Sequence, residues 1–246
     1  MHNFFVKNEN LFGDSVKIDG ADFNHIKNVL RMKQGEQFLV SFDGKSSLCE
    51  LDYFDDDCAI AKIIDKDFTD TSLPIEIYLF QGLPKSDKLE LVIQKAVELG
   101  VHQIIPVQME RCIAKIESNK AKQKTERFNA IAESSAKQSK RTIIPTVKEP
   151  LSFKGALEMA TKLDMLLIPY ENEQGILSTK DALSKIKKGD KVGVLIGPEG
   201  GFSQAEIDLA REVGLSISLG KRILRTETAS ITALSMLMLH AEMNLE

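Results

Sequence analysis

One stretch constrains the fold more than any other: VGVLIGPEGGFS at residues 192–203. It opens as an apolar run rich in Val and Ile, the composition of a buried strand. It then breaks at Gly197, Pro198, Gly200 and Gly201, a loop that can hold backbone angles a bulky residue refuses and let a ligand approach the main chain. Ser203 and Glu206 follow at capping-box spacing, and Ile207, Leu209, Ala210 and Val213 continue as a mostly amphipathic helix. Strand, glycine-rich loop and helix N-terminus together outline a ligand site in an α/β sheet. The loop matches neither the P-loop nor the dinucleotide fingerprint. Glu199 stands where a phosphate would be repelled, so hydroxyls, amines or a cationic ligand suit it better. The alternative is a tight strand-to-helix turn with no ligand.

A second stretch, LGKRILRTETA at 219–229, follows a short strand-like run at 215–219. It places a glycine, the cations Lys221, Arg222 and Arg225, the carboxylate Glu227 and two hydroxyls in one connection. It then enters an apolar helix through Ile231, Leu234, Met238 and Ala241. A loop this polar between two apolar elements is more often a site than a linker.

The rest of the chain divides by pattern. Short apolar or alternating runs at 4–6, 15–18, 37–42, 47–53 and 58–64 are separated by turn chemistry at Gly13, Asp43-Gly44 and Asp55 to Asp57. One helix interrupts them, with Asp22 as its cap and Phe23, Ile26, Val29 and Leu30 on one face. This reads as a small barrel-like β domain over 1–70, with a polar linker before Pro74. From Ile75 the pattern alternates. Strands are expected at 75–83, 104–107, 143–147 and 165–168, and helices at 120–140, 153–163 and 182–186. A further helix capped by Ser86 carries Leu89, Val92, Ile93, Ala96 and Val97 and ends at Gly100. Such alternation predicts an α/β domain over 74–246 with a mostly parallel sheet.

Composition narrows the function. The 246 residues suffice for one large or two modest domains. No apolar run approaches the roughly 20 residues of a membrane span, and the N-terminus lacks the pattern of a signal peptide. Cys49, Cys58 and Cys112 are odd in number and form no C-x-x-C, and the four histidines are scattered. Reduced thiols and no metal site are the expectation. The formal net charge of −4 argues mildly against a nucleic-acid partner, but the charge is unevenly spread. Residues 1–70 hold 14 acids and 8 bases, and residues 111–148 hold 10 bases and 3 acids. That basic segment is either a solvated helix face or a track for phosphates.

The two loop motifs together resemble the C-terminal signature of the SPOUT RNA methyltransferases, and more narrowly their bacterial uridine-N3 branch. HIKNVLRM at 25–32, FDG at 42–44, the segments 85–100 and 133–141, and ERC at 110–112 match as well, so the resemblance covers nearly the whole chain. It implies a PUA-like N-terminal domain that helps hold RNA, and a C-terminal domain with a trefoil knot, a topology that general threading rules disfavour. It also implies a homodimer that uses S-adenosylmethionine, without metal, to methylate N3 of a uridine in 16S rRNA, either naked or within the small ribosomal subunit; the unpaired thiols and the absence of a signal-peptide pattern make the cytoplasm the expected location. A ribose 2′-hydroxyl or another base as acceptor stays open, as does a non-catalytic RNA-binding or assembly protein.

The same resemblance assigns residues. The donor site is expected from Gly197, Pro198, Glu199 and Gly200 with Leu219, Gly220, Ile223, Leu224, Thr228 and Ala229. Ile196 adds an apolar wall and Leu167 is a weaker member. On the acceptor side Arg225 stands first, as a fixed fork for a phosphate or the uracil carbonyls. Glu227 is either the base that takes the N3 proton or the partner that orients Arg225. Lys85, Gln138 and Arg141 match family positions and are expected RNA contacts; Lys27 and Arg31 are local cations of the N-terminal helix through which that domain would hold RNA. Core packing for the apolar residues and exposed helix charge for the cations are the plainer alternatives.

Overall fold

Hydrogen bonding sorts the strands into two sheets, one in each of two compact units. The computed structural model describes residues 1–245 apart from Ser86, Glu117 and Gln174, so the cap expected at Ser86 lies outside the described residues. The first unit comprises Met1–Ser72 and Ala136–Ile144, the second Leu73–Ser135 and Pro145–Glu246.

In the first unit the strands are β1 (Asn3–Phe5), β2 (Leu11–Phe12), β3 (Ser15–Asp19), β4 (Gln37–Phe42), β5 (Lys45–Phe54) and β6 (Cys58–Thr69). They lie in the order β1-β4-β5-β6-β3-β2. β1 runs parallel to β4, and the other pairs are antiparallel. Alternation puts Val16, Ile18, Phe38, Val40, Cys49, Leu51, Ala59 and Ala61 into one core with Ile26. Asp43 and Gly44 both take positive φ (47° and 77°), the two-residue turn that suits the twist of the β4–β5 hairpin.

The helix of this unit differs from the sequence expectation. It starts as α1 (Gly20–Asn24) behind Asp19, and continues as a π-helical turn over His25–Leu30. Asp22 is not the cap; it pairs with Lys137 at 2.8 Å. The π turn is wider than an α turn, so the expected stripe does not hold: Ile26 is buried, whereas Val29 is 61% exposed. The 136–144 segment completes the unit. Asn3 Nδ2 donates to the Arg141 carbonyl at 3.0 Å, and the Thr142 amide donates to the Thr71 hydroxyl at 3.2 Å.

The second unit carries β7 (Glu76–Gly82), β8 (Gln103–Gln108), β9 (Thr146–Val147), β10 (Leu151–Ser152), β11 (Met165–Pro169), β12 (Lys191–Ile196) and β13 (Leu215–Ile217). All its strand pairs are parallel, in the order β10-β8-β7-β12-β11-β13, with β9 also on β8. After Glu76 and Lys191, every residue of β7 and β12 is buried, which accounts for their near-continuous apolar sequence. The helices are α2 (Lys88–Glu98), α3 (Ser118–Gln138, whose residues from Ala136 on count with the first unit), α4 (Phe153–Ala160), α5 (Leu177–Leu183), α6 (Gln204–Val213) and α7 (Thr226–Asn244).

α2 buries the five residues expected of it. α5 begins earlier than expected, and the expected strand at 143–147 is reduced to β9, with Ile143 38% exposed. The inner face of α7 is Ser230, Ala233, Leu234, Leu237 and Ala241, so Leu237 belongs to the core. Leu239 and Met243 are 46% and 70% exposed. Small residues on this face let α7 lie close on α2, β7 and β12. Among the described residues no helix is long and apolar enough to cross a membrane.

Candidate active site

β11, β12 and β13 lie in parallel beside β7, and their carboxyl ends share one edge of the sheet. The chain after β7 builds outward to one side through β8 to β10, while β11 and β13 lie beyond β12 on the other. Open α/β sheets place ligand crevices at the carboxyl edge where strand order reverses. A cavity of about 860 Å³ sits at this edge. Its walls come from 169–171 after β11, the loop after β12, the connection from Ser218 to Thr226, and Lys88 at the start of α2.

The loop after β12 is held from several sides. The Gly201 amide donates to the Pro198 carbonyl at 2.9 Å, closing a tight turn, and Gly201 sits at φ +67°. The capping box forms: Ser203 Oγ accepts from the Glu206 amide, and Glu206 Oε2 accepts from the Ser203 amide at 3.0 Å. The second Glu206 oxygen accepts from the Glu110 amide at 2.8 Å, and Arg111 Nη1 donates to the Gly200 carbonyl at 3.1 Å. Residues after β8 therefore brace the outside of the loop. A Cβ on Gly200 would meet Arg111 Cβ at 2.9 Å, so Gly200 faces that brace, and it does not line the cavity.

Beneath the loop runs a buried polar chain. Gln81 Nε2 donates to the Gly82 carbonyl at 2.9 Å and to Thr226 Oγ1 at 3.0 Å. Thr226 Oγ1 donates to the Gly197 carbonyl at 2.7 Å. Ser230 Oγ faces Gln81 Oε1 and the Thr226 carbonyl. Gln81, Thr226 and Ser230 are all buried, and burial is tolerated because each polar group has a partner. The other wall is pinned by Thr179, whose hydroxyl donates to the Ser218 carbonyl at 2.7 Å and accepts from the Ser218 amide at 3.1 Å.

Two lining residues of opposite charge, Lys88 and Glu199, pair directly. Glu199 Oε1 accepts from the Lys85 amide at 3.0 Å and lies 3.4 Å from Lys88 Nζ. Burial pushes the Glu199 carboxyl up, but the Lys85 amide, its own amide and the Lys88 ammonium together hold it below its ordinary value. Lys88 Nζ also lies 3.4 Å from Glu227 Oε2. Glu227 thus pairs with Lys88 and not with Arg225. The Arg225 side chain is exposed at the cavity wall, with no ion pair among the described residues.

Of the residues expected at a donor site, Ile196, Gly197, Pro198, Glu199, Leu219, Gly220, Ile223, Leu224 and Ala229 line the cavity. Leu167 is fully buried in β11, and Thr228 is exposed on α7 away from the lining. Lys27, Arg31, Gln138 and Arg141 belong to the first unit and Lys85 to the second. Lys27 Nζ lies 4.9 Å from the centre of the Phe23 ring, and Arg31 takes a left-handed backbone at φ 53°. Arg141 is 7% exposed, and burial pushes its guanidinium down to about 10. It does not display its charge as a surface RNA contact would. Sequence reasoning missed Gln81, Gly82, Lys88 and Ser230. A usable signal existed for Lys88: an ammonium in the first turn of a helix opposes the dipole. Among the described residues no group of His, Cys, Asp and Glu is arranged to hold a metal.

Residues 71–238 match the family model described as RNA methyltransferase domain, and residues 18–53 match the one described as RNA methyltransferase PUA domain. The chain is 40% identical over 231 residues to the ribosomal RNA small subunit methyltransferase E of Bacillus subtilis (strain 168), covering 92% of this chain and 90% of that protein. The protein of the same name from Mesomycoplasma hyopneumoniae (strain 232) is 34% identical over 238 residues, covering 96% and 98%. A crystal structure of a ribosomal RNA small subunit methyltransferase E from Neisseria gonorrhoeae, bound to S-adenosyl methionine, matches with a TM-score of 0.81 and 32% identity, covering 97% of each chain.

Proposed function

The chain belongs to the RNA methyltransferase family that includes ribosomal RNA small subunit methyltransferase E, and from that premise we propose that it transfers a methyl group from S-adenosylmethionine to N3 of a uridine in 16S rRNA. The observation that carries the reading is the cavity at the carboxyl ends of β11 to β13, bounded by both loop motifs, with Arg225 and Lys88 in its wall.

The residues fit such a donor. The volume lies within the range of small-molecule pockets. Ile196, Leu219 and Leu224 offer apolar walls for a flat base. A Cβ on Gly220 would meet only Arg222, at 3.9 Å, so the backbone there borders open space. Glu171, Glu173 and Glu199 line the cavity together with Lys88, Lys221, Arg222 and Arg225, so its wall offers polar partners of both signs. When bound, the donor supplies a methyl group already activated by a sulfonium, so the protein chiefly has to align and to handle a proton.

On the acceptor side, Arg225 grips the uracil carbonyls and spreads the charge that grows on the ring as N3 loses its proton. Glu227, held by Lys88 and not engaged with Arg225, accepts that proton. Lys27, Arg31, Lys85 and Gln138 serve the RNA backbone, as does the basic 111–148 segment. Arg141 supports its own unit from within. The trefoil knot, a homodimer that covers Leu239 and Met243, and a cytoplasmic location where ribosomal subunits reside complete the proposal.

The test is methyl transfer from labelled S-adenosylmethionine to unmodified small ribosomal subunits, with nucleoside mass spectrometry of the product. 3-Methyluridine is the expected product. A different methylated nucleoside removes the N3 assignment, and donor binding without any transfer removes the enzymatic reading.

A further inference from the structure

Lys88 is the first residue of α2, a position where the helix dipole favours carboxylates over ammonium groups. The acid in the first turn of α2 itself, Glu90, pairs with Arg127 at 2.7 Å, and two carboxylates from separate elements compensate Lys88. Glu199 reaches it from the loop after β12 and Glu227 from the first turn of α7, each with an oxygen 3.4 Å from Lys88 Nζ. The three side chains are largely withdrawn from water, at 34%, 24% and 14% exposure for Lys88, Glu199 and Glu227.

The two acids depend on Lys88 unequally. Glu199 Oε1 also accepts the Lys85 amide. Glu227 Oε2 is buried and makes no hydrogen bond among the described residues, so the ammonium is its compensating charge. A partly buried charge whose counter-charge is removed is costly to keep in place. The elements joined are the ones that carry the chemistry. Gly197, Pro198, Glu199 and Gly201 wall the donor cavity, and Arg225 and Glu227 stand at the N-cap and in the first turn of α7.

We infer that Lys88 is a positioning residue of the methyl transfer, a single ammonium that clamps the donor loop to the first turn of α7 and so fixes Glu227 relative to the donor. The inference rests on the reading of the cavity as a donor site and of Glu227 as the acceptor-side carboxylate. It differs from the side-chain role given to Lys85, which reaches Glu199 through its backbone amide.

The experiment uses the full chain with Lys88→Met, Lys88→Arg, Glu199→Gln, Glu227→Gln and the double variant Lys88→Met/Glu227→Gln. Donor dissociation constants are measured by calorimetry, single-turnover transfer to small subunits at saturating donor, and thermal unfolding without ligands. Lys88→Met is expected both to weaken donor binding and to slow transfer at saturating donor by about tenfold to a hundredfold, the range expected for a misplacement on the scale of an ångström. Glu199→Gln is expected to affect mainly donor binding, and Glu227→Gln mainly transfer. Lys88→Arg is expected to restore most of both losses. Unfolding is expected to show the double variant more stable than Lys88→Met alone, because the orphaned charge is gone. Wild-type transfer by Lys88→Met at saturating donor, or additive unfolding effects at Lys88 and Glu227, overturns the clamp. A wild-type chain that binds no donor overturns the reading of the cavity, while the unfolding data still decide whether the pair exists.

Discussion

A Cβ added to Gly82 would stand 2.7 Å from the backbone nitrogen of Pro198 and 2.8 Å from its Cδ, so the last residue of β7 touches the loop after β12 with no room for a side chain. The neighbour is backbone and ring, which cannot swing aside. Gly82→Ala is therefore expected to displace the Gly197-Pro198 turn, weakening donor binding and destabilising the fold by about 1–3 kcal/mol. Gly193 makes the comparison. A Cβ there would meet Leu166 Cδ1 at 2.8 Å and Leu163 Cδ1 at 2.9 Å, both ends of flexible side chains. Gly193→Ala is expected to cost stability without a matching loss of donor affinity. Calorimetric titration and denaturant unfolding of both variants check this, and equal donor losses would count against the Gly82 contact.

Thr226 joins the loop after β12 to α7 through one hydroxyl, which accepts from Gln81 and donates to the Gly197 carbonyl. Thr226→Val keeps the shape and removes both bonds. The Gly197 carbonyl loses its side-chain donor, and the buried Gln81 Nε2 keeps only the Gly82 carbonyl. A loss of about 1–3 kcal/mol is expected from leaving buried polar groups unsatisfied. Thr226→Ser, which retains the hydroxyl, is expected to recover most of it. Urea unfolding of the pair measures the difference.

What the sequence disclosed follows from the range of the interaction involved. The capping box of Ser203 and Glu206 is local, so its spacing alone identified it. The buried strands β7 and β12 read as continuous apolar runs because both faces are covered. Gln81 was illegible because its partner Thr226 lies 145 residues away. The packing of 136–144 with the first unit likewise rests on a bond from Asn3 to Arg141 across 138 residues. Periodicity identified α7 through Ile231, Leu234, Met238 and Ala241, of which Leu234 and Ala241 are buried, while Ser230 and Ala233 face inward without being strongly apolar. Burial of Arg141 was also hidden, since a cation in a basic segment reads as exposed by default.

Glu199 makes stability depend on pH in a defined direction. Its folded carboxyl sits below the ordinary 4.5 despite the opposing effect of burial, because the Lys85 amide, its own amide and Lys88 favour the charged form. A depressed carboxyl contributes stability that is fully present above the ordinary value and is lost as pH falls through the folded one. Glu199→Gln is thus expected to be less stable than the wild type at neutral pH, with the gap closing on acidification below 4.5. Thermal unfolding of both chains across that range measures it. A gap that stays constant with pH would show that the amide substitution acts through packing.

Arg225 separates the two halves of the proposed chemistry. Its carbonyl accepts the Ala229 amide at 2.8 Å and starts α7, a role that any residue's backbone fills. Its side chain is exposed and makes no ion pair among the described residues, so truncation removes no structural strut. Arg225→Ala is expected to keep the fold and donor affinity and to lower transfer by about 10²–10³-fold, the loss typical of removing one group that stabilises developing charge. Arg225→Lys is expected to restore little, because a point charge does not reproduce the two-pronged grip of a guanidinium on two carbonyls. Donor titration together with single-turnover transfer decides the matter. Parallel loss of binding and transfer would place Arg225 on the donor side.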